Sequence, residues 1–310
     1  DGSEVHSVQT ALIRYRGYCV TAQSLIQGIL YYDEKTWTKY GSVDEGQSIA
    51  DDQAFCEAVK KISKIFHAKD DLVYIDKEGK KHTMSSPIDV KGIQGGDGRK
   101  YVLDLFRLCP RDLNWEGPEF DAVIFRPKLV ENYLFQLRLD VTESVRVKYS
   151  TTFTELKQQQ QQVIAAAQKK EGEKISEEEN KELKEKLVKI KDEFQKLQNQ
   201  MHQEAEEELQ KQNITDYRFD TSLYSGQESH YEDPAQAEAE REKLRKLAAF
   251  AKDKAIPSFI EEWVRMAKGA PLDSHSLVEA LHTFGLSSRH LGMVLAGLDI
   301  QTSPKHYLLA

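Results

Sequence analysis

At 310 residues the chain is long for one domain and short for three, and its 39% hydrophobic and 30% charged residues, with a mean hydropathy of -0.61, predict two folded parts joined by solvated material. With 43 Lys and Arg against 51 Asp and Glu, the net charge of -8 excludes a global attraction to nucleic acid or anionic lipid, so any such binding has to come from a local basic patch. No run of 18 apolar residues occurs, the first residues have neither the basic nor the apolar region of a secretory signal, and Cys19, Cys56 and Cys109 are dispersed without a C-x-x-C pair; no membrane insertion, no Sec export and a cytoplasmic location are expected of this segment.

From Tyr15 to about Val147, short apolar runs alternate with Gly, Asp and Pro, which predicts an α+β N-terminal domain over residues 1–150. Leu72 to Ile75, the polar turn Asp76 to Lys80 and His82 to Met84 read as a hairpin. Lys91 to Gln94 and Lys100 to Leu105 read as a second, closed by Gly95-Gly96-Asp97-Gly98, whose Asp-Gly pair suits the positive φ of a tight turn. Near residue 151 the aromatics give way to Gln, Glu and Lys, and residues 151–232 are expected to form a helical or partly disordered linker. Within it Leu183, Leu187, Ile190, Phe194, Leu197 and Met201 alternate spacings of four and three, the a/d seam of an amphipathic or coiled-coil helix. Such a seam packs on its own domain or mediates self-association.

Residues 233–310 are expected to be all α and truncated. A helix starts at Asp233-Pro234, carries Leu244, Leu247, Ala248 and Phe250 toward Ala255, and is interrupted by Pro257. Asp273-Ser274 caps the next helix, Gly285 closes it, and Ser287 or Ser288 caps the last.

No phosphate-binding G-x-x-x-x-G-K-[ST], no G-x-S-x-G, no H-E-x-x-H and no EF-hand loop is present, and no catalytic residue is assigned. His275, His282 and His290 lack a neighbouring carboxylate or thiol to complete a tetrahedral site, so neither metal nor cofactor is expected. Asp104, at the end of an apolar strand with Arg107 three residues on, has the placement of a Mg²⁺-holding aspartate in a kinase-like nucleotide site, but Leu105-Phe106-Arg107 follows it and no Gly-rich or H-R-D loop precedes it. Pairing with Arg99 or Arg107 is the simpler account. Cations interleave with aromatics at Arg14-Tyr15-Arg16-Gly17-Tyr18, at Arg99-Lys100-Tyr101 and around Arg126, the composition that holds phosphate and stacks on unpaired bases. In the RNA-binding reading Arg14, Arg16, Arg99, Lys100 and Arg126 contact phosphate, while Tyr15, Tyr18 and Tyr101 stack.

Three stretches carry a family resemblance. They are Tyr15-Arg16-Gly17-Tyr18 running into Val20 to Leu30, Lys91 to Arg107 with Pro110-Arg111-Asp112, and Asp273 to Gly292. They resemble the Clu domain of the clustered mitochondria protein family and the region after it, where Ser287 and His290 stand in for the family's usual Asn and Tyr; Tyr217-Arg218-Phe219-Asp220 is also similar. The resemblance implies a cytosolic, non-enzymatic protein that binds mRNA of nuclear-encoded mitochondrial proteins, supports their translation and keeps mitochondria dispersed. Ribosomes or mitochondrial outer-surface proteins are the further partners it implies. Full-length members add a ubiquitin-like region and tetratricopeptide repeats, so the chain is expected to be a piece that starts inside the Clu domain. The family offers no short RNA-contacting motif, and the basic and aromatic positions rest on residue chemistry alone.

Overall fold

The computed structural model describes residues 5–16, 18–29, 37–115, 117, 120, 122–170, 177–265 and 273–301. The chain forms two compact units, one of residues 1–133 with 218–310 and the other of residues 134–217. This division differs from the one composition suggests, in which 1–150 and 233–310 stand apart. The change in composition near residue 151 falls inside a single helix, and the C-terminal helices belong to the same unit as the N-terminal sheet.

In the first unit, a five-stranded sheet has the order β1-β9-β8-β4-β5, built from Val5–His6, Lys100–Leu103, Lys91–Gln94, Thr38–Gly41 and Ala50–Asp51. Only the β1–β9 pairing is parallel. Helix α1, Gln53–Ile65, is started by Asp52, whose Oδ1 accepts from the Ala54 and Phe55 amides at 3.0 and 3.2 Å. It lays Phe55 and Val59 into a core shared with Tyr40, Met84, Val90 and Val102.

Both expected hairpins are present. β6 and β7, Leu72–Ile75 and Lys81–Met84, pair antiparallel around a turn in which Asp76 Oδ1 accepts from the amides of Glu78 and Lys80, both at 2.9 Å. His82, buried behind the turn, places Nδ1 2.9 Å from Asp51 and Nε2 3.0 Å from Asp76, and its hydrogen bond leads the causes that hold the Asp76 carboxyl below its ordinary value. β8 and β9 pair from Lys91↔Leu103 to Gln94↔Lys100, with Gly98 at φ +78° in the turn. The second strand stops at Leu103 rather than Leu105, because Asp104 turns left-handed at φ 60° and a short 3-10 helix, Leu105–Leu108, follows.

The returning chain at 218–231 docks along the segment that leads from His67 into β6, with an isolated parallel bridge between Ala68 and Phe219. Phe219 exchanges backbone bonds with His67 and Lys69, each 2.8 Å, and the His230 amide donates to Val73 at 2.6 Å. Asp220, fully buried, organises this segment: it accepts from the Ser222 amide and hydroxyl, the Ser229 hydroxyl and the Tyr231 hydroxyl.

Helix α4, Pro234–Phe250, is capped by Asp233, and the helical run that it starts is not broken at Pro257. A π-helical turn over Ala251–Ala255 shifts the hydrogen-bond register, the Ile256 amide reaching back to Ala251, and α5, Ile256–Arg265, continues through Pro257. The looser turn accommodates a ring that would collide with a regular α-turn, and this is why the expected interruption does not occur. The helix α6, Ser274–Thr283, takes the cap expected of it, with Asp273 Oδ1 2.8 Å from the Ser276 amide. Ser287 then leads through a 3-10 turn, Ser288–His290, into α7, Leu291–Gln301.

The second unit is an antiparallel helical hairpin. Helix α2, Pro127–Lys170, reaches it from the first unit and returns as α3, Glu177–Lys211. Residues 134–147, expected to belong to short strands and helices, are continuous helix because burial of Val141 and Val145 overrides the strand preference of β-branched residues. The seam on α3 faces its own partner. Ile190 is buried, Leu183, Leu187, Phe194, Leu197 and Met201 are half-buried, and the Phe194 ring lies 5.9 Å from Phe153 of α2. Lys148 and Tyr149 both bond Glu204 at 2.7 Å, which fixes the register. Of the two roles expected for the seam, packing within its own chain is the one this arrangement favours. Exchanging Leu187 and Phe194 for Ser should therefore melt this hairpin, at about 1–3 kcal/mol per site, and leave the mass by light scattering unchanged. A drop in mass without loss of helical circular dichroism would contradict the arrangement.

Candidate nucleic-acid interface

Strands β2 and β3, Thr10–Tyr15 and Tyr18–Gln23, form a two-stranded ribbon of their own, paired from Thr10↔Gln23 to Tyr15↔Tyr18. Side chains alternate across a ribbon, so directly opposed residues share a face. One face therefore carries Ala11 with Ala22, Ile13 with Val20, and Tyr15 with Tyr18 at the tip. In a globular sheet such a face would be buried. Here every described side chain of the ribbon is exposed, Tyr15 by 62%, Tyr18 by 74%, Ile13 by 48% and Val20 by 52%. Arg16 takes the turn at φ 49° and holds its guanidinium 5.3 Å from the Tyr15 ring centroid, a cation over an aromatic face. Gly17 and the side chain of Arg14 lie outside the described residues.

The ribbon's base is closed by the Ser24 amide bonding to Gln9 at 2.9 Å, and the next residues are tied to the β8–β9 turn by the Gly96 amide bonding to Gln27 at 2.7 Å. A six-residue strand extends about 20 Å, so the second basic group, on that turn, stands near the base and not at the aromatic tip. Two of its three members are engaged in the fold. The Tyr101 hydroxyl donates to Asp97 at 2.8 Å and its ring packs 5.8 Å from His6, while Lys100 lies 5.8 Å over the Phe55 ring. Arg99 is exposed, with Nε 3.8 Å from Asp97. Arg126 sits elsewhere, exposed in the segment before α2, where its charge reaches Cys109 and His282. Seven of the eight sequence-derived positions thus resolve into a ribbon tip of Tyr15, Arg16 and Tyr18, a base group of Arg99, Lys100 and Tyr101, and a separate Arg126.

Reading cations and tyrosines alone missed Ile13, Val20, Ala11 and Ala22, although the alternation on both sides of Arg16-Gly17 already places them with the tyrosines. Asp104 is exposed, caps the 3-10 turn without a side-chain bond, and accepts the Arg107 amide through its carbonyl at 2.9 Å. The three histidines are held apart: His275 is exposed beside Glu279, His282 is half-buried, and His290 is buried against Asp112. Among the described residues no group of three or more His, Cys, Asp or Glu is placed to hold a metal ion, and no helix is long and apolar enough to cross a membrane.

Comparison with known proteins places this ribbon inside a named domain. Residues 1–115 match the family model described as CLU, clustered mitochondria. The clustered mitochondria protein of Arabidopsis thaliana is 29% identical over 302 residues, covering 95% of this chain and 20% of that protein. The clustered mitochondria protein homologues of Sclerotinia sclerotiorum and Xenopus tropicalis are 30% and 29% identical, covering 94% and 95% of this chain and 24% and 25% of their own lengths. The chain accordingly spans about a fifth to a quarter of the curated relatives it matches. No solved structure matches it. Residues 1–115 thus match the CLU family model, and over nearly its whole length the chain is similar to a part of proteins named clustered mitochondria protein.

Proposed function

We propose that this chain is a non-catalytic, cytoplasmic RNA-binding part of a clustered mitochondria protein, contacting mRNA of nuclear-encoded mitochondrial proteins and so supporting mitochondrial distribution and biogenesis. The observation that carries the reading is the exposed aromatic face of the β2–β3 ribbon, with Tyr15 and Tyr18 side by side and the Arg16 cation against one of them. Unpaired bases stack on such faces whatever their identity, and the cation supplies phosphate attraction that the net charge of -8 does not. Arg99 adds a second phosphate contact at the ribbon's base. Ribosomes and mitochondrial outer-surface proteins remain partners of the longer protein in this reading.

The test is binding of the 310-residue chain to single-stranded RNA at two salt concentrations, beside Tyr15→Ala/Tyr18→Ala and Arg16→Ala/Arg99→Ala variants. Each lost stack removes about 1–3 kcal/mol, so the tyrosine pair should weaken binding by roughly tenfold or more at both salts. The arginine pair should weaken it and flatten the salt dependence. Absence of binding by the folded wild-type chain would overturn the reading. It would leave the Ile13 and Val20 face to a second one, docking of a protein strand or helix against the ribbon, which the same exposure favours.

A further inference from the structure

The segment before α2 and the turn before α7 meet in a cleft of about 350 Å³, floored by the buried Phe125 and Cys109 and rimmed by Arg126, Ser287, Ser288 and Arg289. We propose that this cleft is a phosphate-binding site whose ligand is a phosphate monoester dianion. Both arginines are exposed, and among the described residues neither has a carboxylate partner. Elsewhere in the same unit Arg218, Arg241 and Arg245 are each paired with a carboxylate. Two unpaired guanidiniums match the double charge of a phosphate monoester, and their planar forks present paired donors suited to its oxygens. The Ser287 and Ser288 hydroxyls are the neutral donors that complete such a site.

The rim is held from behind. The Ser287 amide donates to His290 Nδ1 at 3.0 Å, and His290 Nε2, bearing the proton that Nδ1 then lacks, donates to the buried Asp112 at 3.0 Å. Asp112 is fixed in turn by the amide and side chain of Asn114, each at 3.0 Å. The turn that presents Ser287 to Arg289 is therefore locked to the segment that leads to Arg126, so the donors need little ordering when an anion arrives. The same buried pair gives Ser287 a Ser–His–Asp sequence of contacts, with its Oγ 3.2 Å from Nδ1. Nδ1 already accepts the Ser287 backbone N–H, which makes the imidazole a cap for the turn rather than a base for the hydroxyl. Burial pushes the Cys109 thiol up to about 11 against the opposing charge of Arg126, so the floor stays neutral and does not repel an anion.

The site does not rest on the ribbon reading, and its test is separate. Inorganic phosphate, titrated at constant ionic strength against chloride, should raise the melting temperature of the wild-type chain, and Arg126→Ala/Arg289→Ala should lose at least nine-tenths of that rise. Arg126→Lys/Arg289→Lys, which keeps the charge and removes the forks, should fall between. An equal rise in the alanine variant, or none in the wild type, would overturn the proposal. A second arm identifies the source: a 5′-phosphorylated oligoribonucleotide binding at least tenfold tighter than its 5′-hydroxyl counterpart, with the gain lost in the alanine variant, makes the ligand an RNA end. Equal affinities with inorganic phosphate still bound make it a small phosphate.

Discussion

Replacing Asp220 with Ala is expected to destabilise the first unit by about 3–5 kcal/mol, the range for breaking a buried ionic or fully hydrogen-bonded charged cluster. The carboxylate has no exposure and accepts four hydrogen bonds: Oδ1 from the Ser222 amide at 2.9 Å and hydroxyl at 2.6 Å, Oδ2 from the Ser229 and Tyr231 hydroxyls at 2.5 and 2.7 Å. Burial first and the Asp220 charge second push the Tyr231 hydroxyl up, so it stays a donor throughout the neutral range. Hydroxyl donors can rotate to other acceptors, but the Ser222 amide cannot, and a buried orphan amide alone costs about 1–3 kcal/mol. Asp220→Asn should be milder, because its carbonyl can keep the two Ser222 bonds while its NH₂ donates to hydroxyls that turn to accept. For a unit of this size each kcal/mol moves the melting temperature by roughly 2–4 °C, so calorimetry should show a fall of about 10 °C for Ala and less than half of that for Asn. An Asn variant as unstable as the Ala variant would show that charge, and not the satisfaction of donors, holds the segment.

The same comparison shows where sequence reasoning succeeds. The β6–β7 and β8–β9 hairpins and the α6 start are local devices: Asp76 closes its own turn, Gly98 takes φ +78°, and Asp273 bonds the Ser276 amide three residues on. Every partner lies within four residues of the one that needs it. What fails is decided at long range. Residues 134–147 carry Val141, Thr142, Val145 and Val147, residues that favour strands in isolation, yet they are helix because one face is buried. Pro257 reads as a break unless a π turn is known to precede it. The candidate sites divide in the same way. The ribbon face of Ile13, Tyr15, Tyr18 and Val20 is written in an alternating pattern and was within reach, whereas the pairing of Arg126 with Arg289 is not, since the His290–Asp112 bond that joins their segments spans 178 positions.

That junction also makes Gly285 and Gly292, seven residues apart, respond oppositely to the same substitution. Gly285 follows α6 at φ +76°, a left-handed backbone that costs a residue with a Cβ about 1–2 kcal/mol. A Cβ there would also stand 2.3 Å from the amide nitrogen and 2.5 Å from the Cα of Leu129. These are backbone atoms of the first turns of α2, so no rotamer change relieves the overlap and the two segments must separate. Gly285→Ala should therefore destabilise by about 3 kcal/mol or more and open the Arg126–Arg289 cleft along with the junction. Gly292 lies in the first turn of α7 with nothing within 4 Å of an added Cβ, and Gly292→Ala should stabilise by about 0.4–1 kcal/mol through the unfolded chain. Chemical denaturation of the two variants beside wild type checks both signs. If Gly285→Ala unfolds at the wild-type midpoint, the close approach of this turn to Leu129 is wrong, and with it the geometry that brings the two arginines to one rim.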